Sequence, residues 1–213
     1  MKALVCFASL FLVSSAIAEP MHFQINGTGG ERWIQATGAI TPDTPTVFEE
    51  FLRSSKFTPG IVRLDSGGGS VGAGVALGEI FRARGFATEA GSSKISPESV
   101  PIPGGENGYT KAPGRCGSAC AFAFLGGIER TLDPDSKLGF HRPFFVTGNA
   151  LTEPTTNDTQ KIIAALLLYI VNMGVDARLI VLANEASPND VRWIRPNEAR
   201  DLQVTTVEPS SAH

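Results

Sequence analysis

Hydrophobic and polar positions along the chain switch repeatedly between the period of a strand and that of a helix. Trp33 to Ile40 reads as a strand, and a helix is predicted from about Thr44 to Ser55 with Val47, Phe48, Phe51 and Leu52 on one face. Gly60 to Leu64 is a short apolar strand that runs into Asp65-Ser66-Gly67-Gly68-Gly69-Ser70. A helix from Val71 to about Arg84 follows, carrying Val75, Leu77, Ile80 and Phe81, and then a strand from Phe86 to Ala90. A strand, glycine turn, helix and strand are thus complete before residue 91. That order predicts an α/β fold with a mainly parallel sheet and crossover helices.

The rhythm breaks between Gly91 and Arg115, where glycine, proline and serine recur throughout. This stretch is predicted as a flexible insertion without regular structure, either a flap over a site or a neutral surface loop. Beyond it, Ala121-Phe122-Ala123-Phe124-Leu125 opens a buried helix, Lys137 to Phe140 is a strand, and Thr147 to Thr156 reads as a mobile segment. A long helix from about Asp158 to Met173 carries Ile162, Ile163, Leu166, Leu167, Ile170 and Val171, an apolar face wider than packing on one side demands. A second helix near Asp176 to Ala183, a helix from Pro196 to Leu202 and a strand from Gln203 to Val207 finish the domain. There is no internal repeat.

The first residues bear on compartment. Lys2, the apolar run from Ala3 to Val13 and the small-x-small site Ala16-Ile17-Ala18 together read as a cleaved secretory signal, residues 1–18. The expectation is a periplasmic or secreted protein whose single domain spans residues 19–213. A formal net charge of -3 and the lack of any Lys/Arg block argue against nucleic acid as a partner. Ile162 to Val171 is the most apolar later segment and is too short to span a bilayer.

Cys6 leaves with the signal, so Cys116 and Cys120 are the thiols of the mature chain. In an oxidising compartment they are either bridged or two small buried thiols, and no neighbouring ligands suit zinc. Neither a metal nor a cofactor is expected.

Between those cysteines stands Gly117-Ser118-Ala119, a serine at a tight turn ahead of an apolar helix. A serine hydroxyl is a weak nucleophile until a base takes its proton and N–H groups meet the developing oxyanion. His141 is the candidate base, because His22 and His213 lie near the two ends of the mature chain.

Taken with their order, Leu64-Asp65-Ser66-Gly67-Gly68-Gly69-Ser70-Val71, Gly117-Ser118-Ala119, Gly139-Phe140-His141-Arg142-Pro143 and Trp193-Ile194-Arg195-Pro196-Asn197-Glu198-Ala199 resemble the Clp protease proteolytic subunit and the wider ClpP/crotonase superfamily. Gly67 stands where the family usually has proline. The resemblance covers about residues 33–207 and implies a superhelix of strand-strand-helix units. It also implies Ser118 as nucleophile, His141 as general base, Gly69 and Ala119 as oxyanion donors beside Gly68, a peptide or unfolded protein substrate, and a homo-oligomer assembled partly through the long apolar helix. No ATPase partner is expected after export.

One position departs from the pattern. The family's aspartate precedes the arginine that stands here as Arg192, and Val191 occupies its place, with Asp190 one residue earlier. Asp190 is the candidate third member. Asn189, a dyad without an acid, and a scaffold that binds peptides without cleaving them stay open. A Ser/Lys mechanism would call on Lys137 or Lys161, and an acyl-CoA reaction is disfavoured by the export signal.

Overall fold

A computed structural model of the chain describes residues 19–27, 30–95, 108–133, 135–143, 145–147, 150–152, 155–187 and 189–207; the predicted signal, residues 1–18, lies outside them. β1 (His22–Asn26) and β2 (Trp33–Thr37) are followed by α1 (Thr44–Ser55), β3 (Ile61–Asp65), α2 (Val71–Arg84) and β4 (Ala87–Ala90). β5 (Ser92–Ile95) and β6 (Tyr109–Ala112) form a hairpin, β7 (Arg115–Gly117) leads into α3 (Ala119–Leu125), and β8 (Arg130–Leu132) and β9 (Lys137–Phe140) come next. A second hairpin, β10 (Phe145–Thr147) with β11 (Ala150–Thr152), precedes α4 (Thr156–Asn172), α5 (Leu179–Ala183), β12 (Arg192–Trp193) and α6 (Pro196–Asp201).

The main sheet runs β1-β2-β3-β4-β8, parallel from β2 onward, with β1 antiparallel at its edge. A smaller sheet, β12-β9-β7, pairs β7 with β9 in parallel and β12 with β9 antiparallel. A parallel bridge between Ser66 and Cys116 joins the two sheets just past β3. The C-terminal ends of β3, β7 and β9 therefore lie side by side, which brings the glycine turn, Ser118 and His141 to one edge.

Burial follows most of the predicted pattern, although Val47 of the predicted apolar face of α1 is exposed. Ile34, Ala36, Val62 and Leu64 of β2 and β3 are buried, and Phe48 of α1 stacks on Phe81 of α2 and on Phe86 at ring separations of 5.1 and 5.7 Å. The termini of α2 are set by local chemistry: the Ser70 side chain accepts the Ala73 N–H, and Gly85 closes the helix at φ 73°. α2 lies almost backbone to backbone on the wholly buried α3. A Cβ on Gly74 would run into the Ala119 carbonyl, and one on Gly78 into the Tyr169 hydroxyl, which donates to the Phe122 carbonyl at 2.7 Å. Burial raises the pKa of Tyr169, so its proton stays available for that bond.

Two buried arginines hold the loops. Arg130 donates to the carbonyls of Leu125, Gly127, Met173, Gln203 and Val204, which ties together the ends of three helices. Burial and the neighbouring Arg82 lower its pKa to about 10, leaving it protonated at neutral pH. Arg63 pairs with Glu89 and Asp133 and donates to the carbonyls of Ser92 and Ala112.

The structure departs from the sequence reading in three places. Within the predicted irregular insertion, Ser92–Ile95 and Tyr109–Ala112 pair as a hairpin, fastened to the sheet by Arg63; residues 96–107 lie outside the described residues. Part of the predicted mobile segment pairs as β10 and β11. Gln203 to Val207 is not a strand: Gln203 takes φ 57° and the carbonyls of Gln203 and Val204 are turned onto Arg130, so no ladder forms.

Candidate active site

β7 delivers the serine. Cys116 and Gly117 pair with Leu138 and Gly139, and the Ser118 N–H continues the ladder to the Gly139 carbonyl at 2.9 Å. Ser118 itself adopts φ 57° and ψ -125°, a conformation foreign to ordinary L residues. Such a backbone costs about 1–3 kcal/mol and persists only where its surroundings impose it. The Ser118 carbonyl accepts the Ala121 N–H at 2.9 Å, α3 is buried throughout, and Cys116 and Cys120 are joined as a disulfide with a Cα–Cα distance of 5.1 Å. This is the strained strand-to-helix elbow that presents a serine side chain to a cavity.

The glycine turn packs against the elbow. Gly68 takes φ 105°, and a Cβ there would stand 2.7 Å from both the Gly117 carbonyl oxygen and Ser118 Cβ, so the elbow and the turn can meet only without one. Its N–H is committed to Ser66 Oγ at 3.0 Å. Gly69 differs. The parallel bridge to Ile40 uses the Gly68 carbonyl and the Ser70 N–H, leaving the Gly69 N–H outside it, and Gly69 lines the cavity. Ala119 is the first residue of α3, so its N–H has no acceptor within the helix.

Ser118, His141 and Gly69 line one cavity of about 610 Å³. Its remaining wall is chiefly apolar, with Val71 and Val75 of α2 on one side and Ile162 and Leu166 of α4 on the other. His141 follows directly on β9, the strand paired to β7, so a step of two residues past Gly139 brings it to the cavity that Ser118 lines. Its Nδ1 lies 2.7 Å from the Arg142 carbonyl oxygen.

The candidate acid is elsewhere. Asp190 is exposed in the turn before β12, its Oδ1 accepts the N–H of Val191 at 2.8 Å, and among the described residues no hydrogen bond or ion pair joins it to His141. Asn189 is likewise exposed. Neither lysine reaches the cavity: Lys137 begins β9 at the strand end away from His141, and Lys161 is exposed on α4. Among the described residues no group of three or more His, Cys, Asp or Glu could hold a metal ion, and no helix is long and apolar enough to cross a membrane.

No protein-family model and no curated protein sequence matches the chain. Solved structures do. Two are mutants of the 1510-N membrane-bound stomatin-specific protease, one with a serine changed to alanine and one with a lysine changed to alanine and a substrate peptide bound. They superpose with TM-scores of 0.55 and 0.56 at 18% identity, covering 80% and 83% of this chain and 75% and 73% of theirs. An asparagine-to-aspartate mutant of ClpP1 from Listeria monocytogenes superposes with a TM-score of 0.50 at 14% identity, over 81% of this chain and 88% of that one. The chain has the ClpP/crotonase fold.

Within that ClpP-like fold, the disulfide acts locally, and its effect is separable from global stability. It closes a loop of five residues, and chain entropy assigns such a loop about 2 kcal/mol. The same bond spans the strained residue, where small displacements of a reacting group are costly. Cys116→Ala/Cys120→Ala is therefore expected to melt a few degrees below the parent yet lose most of its reactivity toward a serine-directed phosphonate. A double variant that reacts as fast as the parent would reduce the pair to a structural brace.

Proposed function

We propose that this protein is a ClpP-like serine hydrolase, most simply a peptidase, that acts through an acyl-enzyme on peptides or unfolded segments after export. The observation that carries the reading is Ser118 itself: a non-glycine residue at φ 57° on a strand-to-helix elbow, opening on the cavity that His141 also lines. Strain of this kind clusters where chemistry is done, and a serine on a strand-to-helix elbow is a recurrent case.

In the proposed reaction, Ser118 Oγ attacks the substrate carbonyl while His141 Nε2 takes its proton. The Gly69 and Ala119 N–H groups receive the oxyanion, His141 returns the proton to the departing amine, and water repeats the sequence to release the acid and restore Ser118. The apolar walls fit a substrate whose contact residues are themselves apolar. The test is a fluorophosphonate probe on the purified protein, with the adduct mapped by mass spectrometry. Adduct on Ser118 supports the hydrolase, and a protein that never reacts leaves the second reading.

That second reading is a peptide-binding scaffold that keeps the pocket without the chemistry. The placement of Val191 where the resembling family has its acid favours it, together with the exposed position of Asp190.

Self-association is part of the proposal. Leu168 and Val171 on α4 and Val181 on α5 are 64%, 52% and 65% exposed, an apolar surface that symmetric assembly would cover. Light scattering is expected to report an oligomer at concentrations of about tens of micromolar, and a clean monomer there would count against it.

A further inference from the structure

The hydrolase reading leaves one part of the machinery unassigned, the group that orients the imidazole, and the inference here rests on that reading. β12 pairs with β9 so that Arg192 faces Phe140 and Trp193 faces Gly139. Continuing this antiparallel register by one residue sets Val191 opposite His141, and Val191 Cγ1 does turn toward the β9 backbone, packing over Gly139. An apolar side chain therefore fills the place from which a carboxylate would reach the ring. Asp190 falls one residue further along and spends its oxygen on the neighbouring N–H.

Another acceptor is already in position. His141 Nδ1 and the Arg142 carbonyl oxygen are 2.7 Å apart, a hydrogen-bond distance, and a carbonyl can only accept. Nδ1 must then carry the proton, which leaves Nε2 bare, the tautomer a general base requires. The residue that supplies this oxygen is held on both sides. The Arg142 N–H donates to the Ala186 carbonyl at 3.2 Å and its Nε lies 3.4 Å from the same oxygen, while Pro143 restricts Arg142 to extended conformations. Ala186 belongs to the segment between α5 and β12, the same stretch that carries Asp190. That segment thus acts on the imidazole through its main chain.

We infer that the orienting group of this site is the main-chain carbonyl of Arg142, clamped by Ala186, and that Asp190 takes no part. Arg142 is a positioning residue in this arrangement. A neutral acceptor fixes the tautomer and the ring plane as an aspartate does, but stabilises the imidazolium less. Intrinsic reactivity is expected to fall about tenfold below that of a site with an acid, and not the roughly 10⁴-fold that follows when the wrong tautomer is present.

The experiment has a spectroscopic arm and a kinetic arm. Long-range ¹H–¹⁵N spectra of the ¹⁵N-labelled protein, recorded at mildly alkaline pH and with His141 assigned through His141→Gln, are expected to show Nδ1 protonated and Nε2 bare. Asp190→Asn and Asn189→Ala are expected to react with the phosphonate within about twofold of the parent rate, since neither side chain touches the ring. A parent spectrum with the proton on Nε2 overturns the inference. So does a loss of about 100-fold or more in Asp190→Asn with its melting temperature unchanged, because the carboxylate would then be the orienting group. If the parent never reacts with the probe, the hydrolase reading is what fails, and the tautomer still decides which group holds the ring.

Discussion

Removing the imidazole at position 141 is expected to slow phosphonylation of Ser118 by about 10³-fold, the middle of what a general base contributes. The magnitude follows from the isolation of the site. Ser118 and His141 are each only 8% exposed, the remaining cavity wall is chiefly apolar, and the lysines at 137 and 161 do not line the cavity. No other described side chain of the cavity can take the serine proton, so the loss has no internal rescue. Ser118→Ala is expected to give no adduct at that position, and Ser118→Ala/His141→Ala to be no worse than the serine variant alone, because the two act as one unit. The measurement is the pseudo-first-order rate of probe incorporation. A His141→Ala protein that reacts within about threefold of the parent would remove the imidazole from the mechanism.

Arg130→Met is expected to lower stability by about 3–5 kcal/mol, which for a chain of this length means a fall of roughly 10 °C or more in melting temperature. Five carbonyls converge on this guanidinium. Arg82 also donates to those of Met173, at 2.9 Å, and Leu125, so these two keep a donor after the substitution. Those of Gly127, Gln203 and Val204 lose the only one found among the described residues. Each buried acceptor left unpaired costs about 1–3 kcal/mol, partly offset because a buried cation no longer has to be desolvated. Arg130→Lys is expected to fall between the two, since an ammonium has three donors and no planar fork. A methionine variant melting within about 3 °C of the parent would show that these loops hold themselves.

How much of this was legible in the sequence differs from part to part. The parallel αβ order, the glycine turn and the serine elbow announce themselves, because each depends on residue types that the geometry demands: apolar runs for β3 and β4, small residues around Ser118, a histidine after an apolar strand. β7, β8 and β12 are two or three residues long, too short for any alternation to be seen. Gln203 to Val207 carries strand-like residues, yet its carbonyls are captured by an arginine more than 70 positions earlier, a contact no local pattern can reveal. The orienting group proposed for His141 is hidden for a deeper reason. A search for a third side chain finds Asp190, whereas a main-chain carbonyl leaves no letter in the sequence.

The contact between α2 and α3 has its own consequence. In the proposed hydrolase, loss of activity need not begin at a reacting group, because the helix that starts after Ser118 rests on Gly74 with no space for a single added methyl. Gly74→Ala would leave every proposed reacting group intact and still press on Ala119, the residue after the serine, and a shift of about 1 Å is enough to cost about 100-fold. The genetic target for inactivation would therefore extend beyond the cavity, onto a position of α2 that does not line it.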